Sequence, residues 1–238
     1  KVRSGSKTGV VDREGNEIIP VMYDAVEIEK RMFIVELNGA LGCLNENGEE
    51  ILPLEYDHVF DRDDKYIQFG IDGKWGMADR QGILLECQYD YIKISTEYDI
   101  CTIRQDEKTG LMNMSGDILL APQYDDIFFD STSHVAGVFL NGCYGLISLL
   151  DYTEITPISY DGISNIHNGK SVYLKEGMKG LLDENGDEIL PAEYDNIKIC
   201  ENNILILSKN DKSYFAGMSG EIIGESYYDS IAVSEEIY

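Results

Sequence analysis

Basic residues are scarce in this chain. Nineteen lysines and arginines stand against 44 aspartates and glutamates, a formal net charge of −25 over 238 residues. A field of that sign repels phosphate backbones and anionic lipid surfaces, so nucleic acid is excluded as an expected partner. Long apolar runs are missing as well, and neither membrane insertion nor an export signal is expected. The chain opens on Lys1, as a piece of a longer protein would. Histidine occurs three times, at His58, His134 and His167, and cysteine five times, at Cys43, Cys87, Cys101, Cys143 and Cys200. The odd, scattered cysteines never adopt Cys-x-x-Cys spacing, which argues against a disulfide framework or a zinc site. They read as small buried hydrophobes in a reducing compartment, a leaning toward cytoplasm. Also absent are Gly-x-Ser-x-Gly, a phosphate-binding glycine loop and His-Glu-x-x-His. No catalytic residue, metal ligand or cofactor is therefore assigned, and the ligand-binding residues stay unknown.

What is present is a repeat. A Tyr-Asp pair recurs at Tyr23, Tyr56, Tyr89, Tyr124, Tyr160, Tyr194 and Tyr228, at steps of 33 to 36 residues. Three places after each tyrosine stands Val26, Val59, Ile92, Ile127, Ile163, Ile197 or Ile231. A period of about 34 residues makes seven units, none able to bury enough apolar surface to stand alone. Neighbouring repeats must therefore stabilise one another.

Each repeat reads as short strands. In "KGLLDENG" (179–186), Asp183 three places before Gly186 is the signature of a type I turn followed by a left-handed glycine. It recurs at Asp12/Gly15, Asn45/Gly48, Asp79/Gly82 and Asn113/Gly116. Gly177 lies outside that column and is expected to be replaced more cheaply. All five prolines (Pro20, Pro53, Pro122, Pro157, Pro191) sit two or three residues before a Tyr-Asp pair. There a residue without an N–H is expected to end ladder pairing at a corner. The tyrosine ring is expected to pack between repeats, and the aspartate to accept backbone N–H groups at the bend. A further column, Val2, Val35, Phe69, Ile103, Val138, Tyr173 and Leu207, reads as core. Four strands per repeat, with no sustained helical period, predict an all-β repeat protein.

"GKWGMADRQG" (73–82) with "QYDYI" (88–92) resembles the WG-repeat, or KWG-repeat, family of bacterial β-repeat proteins. The namesake tryptophan stands once, at Trp75. Its place is taken elsewhere by Thr8, Leu41, Thr109, Tyr144, Lys179 and Ser213, and Tyr214 replaces the glycine of the last repeat. The resemblance implies a β-rich scaffold, often in surface or secreted proteins, without assigned activity.

The acidic loops 60–66 and 183–188 carry oxygen ligands, but neither has the spacing of a calcium loop, and no calcium site is assigned. The function expected is a non-enzymatic binding scaffold, presenting variable loops to a protein, peptide or glycan and acting as a monomer. The alternative is a glycan-active enzyme with carboxylates on one face. Residues 1–238 are expected to form one domain: a closed β-propeller of about seven four-stranded blades, or alternatively an open β-solenoid or hairpin array. In the closed form, the strand around Val2 completes the blade begun by "SIAVSEEIY" (230–238), removing both exposed edges.

Overall fold

The computed structural model describes residues 1–62, 65–95, 99–129, 133–167, 169–200 and 203–231. Its strands form seven antiparallel sheets, each a meander. The first has three strands, β1 (Val2–Ser4), β2 (Lys7–Val11) and β3 (Glu17–Tyr23). The second holds β4 (Ala25–Ile28), β5 (Met32–Leu37), β6 (Ala40–Asn45) and β7 (Glu50–Tyr56). The third holds β8 (His58–Arg62), β9 (Tyr66–Ile71), β10 (Lys74–Asp79) and β11 (Gly82–Tyr89). The fourth holds β12 (Tyr91–Ser95), β13 (Ile100–Gln105), β14 (Lys108–Asn113) and β15 (Ile118–Tyr124). The fifth has β16 (Asp126–Phe128), β17 (Val135–Leu140) and β18 (Cys143–Ser148), with isolated bridges Tyr144–Tyr160 and Ile147–Glu154 beyond β18. The sixth holds β19 (Gly162–His167), β20 (Lys170–Lys175), β21 (Met178–Leu182) and β22 (Glu188–Tyr194). The seventh holds β23 (Asn196–Ile199), β24 (Ile204–Lys209), β25 (Lys212–Gly217) and β26 (Ile222–Tyr228). The chain divides into two compact units, Lys1–Pro122 and Gln123–Tyr238.

Three sequence columns turn out to be one row across each sheet. Val26 pairs with Val35 and Val35 with Gly42; Val59 pairs with Phe69 and Phe69 with Gly76; Ile92 pairs with Ile103 and Ile103 with Gly110. In the second unit Ile127–Val138–Gly145 and Ile163–Tyr173–Gly180 repeat it. Val35, Phe69, Ile103, Val138 and Leu207 are fully buried, and Val2, on the edge strand β1, is the one half-exposed member of its column. Each such side chain is worth roughly 1.5–3 kcal/mol by burial.

Within each unit, consecutive sheets share their cores. Val10, Ile19 and Tyr23 of the first sheet pack with Val26, Phe33 and Val35 of the second. Tyr56 of the second packs with Val59, Ile67 and Phe69 of the third, its ring 4.6 Å from that of Phe69. Tyr89 packs with Ile92, Cys101 and Ile103 of the fourth. In the second unit, Leu146 packs with Ile163 and Tyr173, and Leu190 with Ile197 and Leu207. The expected packing of tyrosine between repeats is thus observed. Tyr228, on the last described strand, is instead exposed.

The Asx-x-x-Gly turns form as read at Gly15, Gly48, Gly116 and Gly186, whereas Gly82 stands at φ +147° and donates its N–H to Asp79 Oδ1 instead. Gly186 N–H donates to Asp183 O at 3.1 Å, and Gly186 sits at φ +81°. Asp183 Oδ1 accepts from Asn185 and Asp187 N–H. Gly48 and Gly116 also touch the preceding sheet, a Cβ on Gly48 lying 2.4 Å from Ile18 O and one on Gly116 3.0 Å from Leu84 O, while one on Gly15 or Gly82 meets nothing within 4 Å. At Gly48 and Gly116 bond geometry and close approach therefore both select glycine.

One expectation is corrected. Pro20, Pro53, Pro122 and Pro191 do not end the ladder; they lie inside the last strand of their sheets. There the register jumps, Thr8 pairing with Tyr23 but Val10 with Ile19, and Lys179 with Tyr194 but Leu181 with Leu190. The proline occupies a bulge on an edge strand, where a missing N–H costs no ladder bond. The change of sheet comes at the aspartate instead: β7 ends on Tyr56 and β8 begins on His58. Gly177 stands outside the Asx-x-x-Gly column and in a second repeated one. Asn38–Gly39, Asp72–Gly73, Asp106–Glu107, Asn141–Gly142, Glu176–Gly177 and Asn210–Asp211 all have positive φ at both places, the geometry of type I′ hairpin turns. The closing strand expected from 230–238 lies almost wholly outside the described residues, and β1 is an edge of its three-stranded sheet.

Candidate functional site

The Lys-Trp-Gly and Tyr-Asp columns form one structural device. The aspartate stands between two sheets and its carboxylate reaches forward to the next type I′ turn. Asp24 Oδ2 accepts Asn38 N–H at 2.8 Å, Asp57 accepts Asp72 at 2.9 Å, and Asp195 accepts Asn210 at 2.7 Å. Asp90, Asp125 and Asp161 do the same with Asp106, Asn141 and Glu176. The acceptance at the bend is therefore real, but its donors lie 14 to 16 residues on. The lysine of the motif joins it, Lys7 Nζ lying 2.7 Å from Asp24 and Lys74 bonding Asp90. The lysine bond first, and then the backbone N–H, hold the Asp24 and Asp90 carboxyls below their ordinary pKa.

The motif's glycine is a matter of space. A Cβ on Gly9 would lie 2.5 Å from Ile19 O, on Gly76 2.6 Å from Leu85 O, and on Gly110 2.4 Å from Leu120 O, each atom belonging to the bulged strand alongside. The tryptophan place faces the tyrosine, as in Thr8–Tyr23, Leu41–Tyr56, Trp75–Tyr89, Lys179–Tyr194 and Ser213–Tyr228. The tryptophan place is not wholly spent on packing, since Trp75 also lines a groove.

The other sequence candidates are dispersed. Asp61, in the acidic loop 60–66, pairs with Arg80 at 2.7 Å; residues 63–64 of that loop lie outside the described residues. The second acidic loop spends Asp183 on its own turn. Among the described residues no group of three or more His, Cys, Asp or Glu is placed to hold a metal ion. Cys43 and Cys101 are fully buried, and burial pushes their thiols up to about 12 and about 11. Cys87 and Cys143 are half-buried, and all five thiols are free.

His58 is the exception, and the sequence reading passed over it. It pairs across β8 and β9 with Gly70, which pairs in turn with Trp75 on β10. Because Gly70 carries no side chain, the flanking rings close over it. His58 and Trp75 lie 5.4 Å apart at 15°, and Phe60 joins them, 6.1 Å from each at 10° and 24°. A Cβ on Gly70 would come within 3.1 Å of the indole. Two residues on, Arg62 lies over the Phe60 ring, 5.3 Å from its centroid, and its Nε donates to Gln68 Oε1 at 3.0 Å. Gln68 is only 5% exposed and donates to Ile92 O of β12 at 3.0 Å. A groove of about 440 Å³ opens there, lined by Arg62, Gln68, Trp75, Tyr91, Lys93 and Ile94. Phe60 and Tyr91 are exposed at 43% and 48%. Among the described residues no carboxylate pairs with Arg62 or Lys93. An aromatic floor with two cations is thus set into a strongly acidic chain.

Comparison with known proteins bears on the repeat. No curated protein matches the chain. Among solved structures, the eukaryotic initiation factor crystal structure is 9% identical, with 90% of this chain and 69% of that one aligned and a TM-score of 0.44. Kluyveromyces lactis Hsv2p is 8% identical over 82% and 74%, with a TM-score of 0.38. The Neurospora crassa Pan2 WD40 domain is 10% identical over 84% and 78%, with a TM-score of 0.33. Likenesses so distant carry no argument about this chain. The family described as WG containing repeat matches residues 9–39, 42–75, 110–142 and 180–212, each match opening on a strand glycine whose Cβ would meet the bulged strand or, at Gly180, a packed ring. Those segments make up more than half of the sequence, and the chain belongs to the WG-repeat family.

Proposed function

We propose that this chain is a non-enzymatic binding module, a scaffold that presents one irregular surface to a protein, peptide or glycan. The observation that carries the reading is a division of labour among residues. The repeated lysines, glycines, tyrosines and aspartates are consumed by turns, bulges and inter-sheet packing. Trp75, the one namesake tryptophan to survive, lines one groove with Arg62, Tyr91 and Lys93, which stand at variable positions, and His58 and Phe60 stack on its indole. Aromatic and cationic groups of that kind are suited to binding a ligand. A glycan and peptide array probed with the purified chain tests it. Saturable binding that Phe60→Ala weakens is expected, and an array with no such ligand would count against the module.

The seven sheets are further proposed to make one monomeric domain closed as a propeller, the residues after Asp229 adding to β1 as β4 adds to β5. The apolar side chains Ile223 and Tyr228 support this reading, being 48% and 47% exposed on β26 although the counterparts of the first, Ile19, Leu52 and Leu190, and of the second, Tyr23 and Tyr56, are buried. Closure predicts that deleting residues 1–5 sharply lowers amide protection across residues 228–238. Unchanged protection there would leave the open array.

A further inference from the structure

The structure assigns the groove between β8–β10 and β12 to an acidic sugar: a pyranose carrying one carboxylate, such as a uronate within an otherwise neutral glycan. This inference rests on the binding reading above and narrows it to one ligand chemistry.

The floor is the first reason. Trp75 lines the groove beside the bare backbone of Gly70, and its indole is held by stacking with His58 and Phe60, so the aromatic surface it offers is fixed in orientation. A pyranose presents a flat face of C–H groups of matching character, and stacking on such rings needs no hydrogen-bond readout. The volume, about 440 Å³, falls within the roughly 300–1,000 Å³ of small-ligand sites.

The cations are the second. Arg62 is oriented twice over, by Phe60 beneath it and by the buried Gln68 that takes its Nε bond. A guanidinium held in one plane suits the two oxygens of a carboxylate. Gln68 fixes that plane because its own amide is tied to Ile92 O. Tyr91, Lys93 and Ile94 of β12 line the same groove, and Tyr91 also lines a second hollow with Asp90, Arg104 and Glu107.

Charge decides among anions. The guanidinium and the ammonium together carry two positive charges, more than one carboxylate needs and far fewer than a polyanion brings. A polyphosphate or nucleic acid would bring many negative charges toward a chain of net charge −25. A phosphotyrosine peptide is the competing macromolecular ligand, and it would look for a cluster of arginines where this groove has one.

Trp75 is the sole tryptophan and lies in the groove, so its emission reports occupancy directly. The probes are an oligosaccharide ending in glucuronate, the same oligosaccharide ending in glucose, and a phosphotyrosine peptide. The glucuronate probe is expected to shift the emission saturably, at least tenfold more tightly than the glucose probe. Arg62→Gln should weaken it tenfold or more and Phe60→Ala abolish it, while both variants keep the wild-type circular dichroism and melting curve. Lys93→Gln should weaken it severalfold and serves if Arg62→Gln unfolds. Equal affinity for the glucose probe, or tighter binding of the phosphopeptide, would overturn the uronate assignment while leaving a Phe60-dependent binding module standing. No saturable change with any probe at millimolar concentration would overturn the assignment, whereas an array without a Phe60-dependent ligand would sink the module itself.

Discussion

The carboxylate of Asp90 accepts the backbone N–H of Asp106 at 2.9 Å, so the residue that ends one sheet holds the turn of a hairpin sixteen residues later. Asp106 and Glu107 have φ of 50° and 64°, and neither is glycine. A left-handed residue with a Cβ costs about 1–2 kcal/mol. The clamp from Asp90, with Lys74 on its other oxygen, keeps that turn in place.

The clamp titrates. Asp24 and Asp90 have folded pKa values lowered from the ordinary 3.8, so the stability they contribute is fully present above that value and is lost as pH falls through the lowered one. The urea midpoint of the protein should therefore drop as pH is taken downward from about 4. The double variant Asp24→Asn/Asp90→Asn keeps an oxygen acceptor for the turn but no titrating charge. Its midpoint should fall less steeply over the same range, and parallel curves would contradict the assignment.

Gly186 and Gly177 separate conformation from space. Both have φ near +80°, but a Cβ on Gly186 would lie 2.7 Å from Thr156 Cγ2 and 2.8 Å from Ile155 Cγ2, whereas one on Gly177 meets nothing within 4 Å. Gly177→Asn should cost less than about 0.5 kcal/mol, since Asn tolerates the left-handed region. Gly186→Ala should cost about 2–4 kcal/mol, strain and overlap together. Chemical denaturation of both variants checks the order; similar losses would mean that packing on the preceding sheet is unimportant.

The repeat made the columns legible. Glycine, tyrosine and aspartate recur because each meets the same constraint in every sheet, a bulge to pass under, a core to fill and a turn to clamp. The proline was misread because its missing N–H suits a corner and an edge bulge equally well, and only register distinguishes them. The groove was hidden for the opposite reason. His58, Trp75 and Tyr91 stand 16 or 17 residues apart in sequence, occur together once, and meet only because Gly70 pairs with both His58 and Trp75. Two local signals could have pointed to it: the alternation His58, Phe60, Arg62 on one strand face, and a glycine inside the apolar strand "YIQFG" (66–70).

The strand glycine makes a separate prediction at Gly76. A Cβ there would lie 2.6 Å from Leu85 O and 2.8 Å from the Phe69 ring. Gly76→Ala should therefore cost about 1–3 kcal/mol although alanine favours the strand no less than glycine does. The last repeat shows the other solution. Tyr214 replaces the glycine, and the bulge it faces, between the pairs Ser213–Tyr228 and Phe215–Ile223, carries Gly224 at φ +87°. Restoring the motif with Tyr214→Gly should lower stability, because the Tyr214 ring packs with Leu205 and Leu207 and lies 6.4 Å from Tyr227. A more stable Tyr214→Gly variant would refute the exchange.

Thiol reactivity tests the core directly. Cys43 and Cys101 have no exposed surface and Cys200 is 6% exposed, while Cys87 and Cys143 are half-buried. The thiolate is the reactive form, and burial lifts Cys43 to about 12 and Cys101 to about 11, so at pH 8 neither is ionised or reachable. Cys87 is also raised, by burial first, and its labelling should therefore keep accelerating as pH climbs past its ordinary value of 9. Under native conditions a thiol reagent should modify Cys87 and Cys143 alone, located by peptide mass mapping. The remaining three should react only through unfolding, at a rate that follows the unfolded population across a urea series. Labelling of Cys43 or Cys101 in folded protein, with no dependence on urea, would mean that the shared core between consecutive sheets opens far more readily than its packing allows.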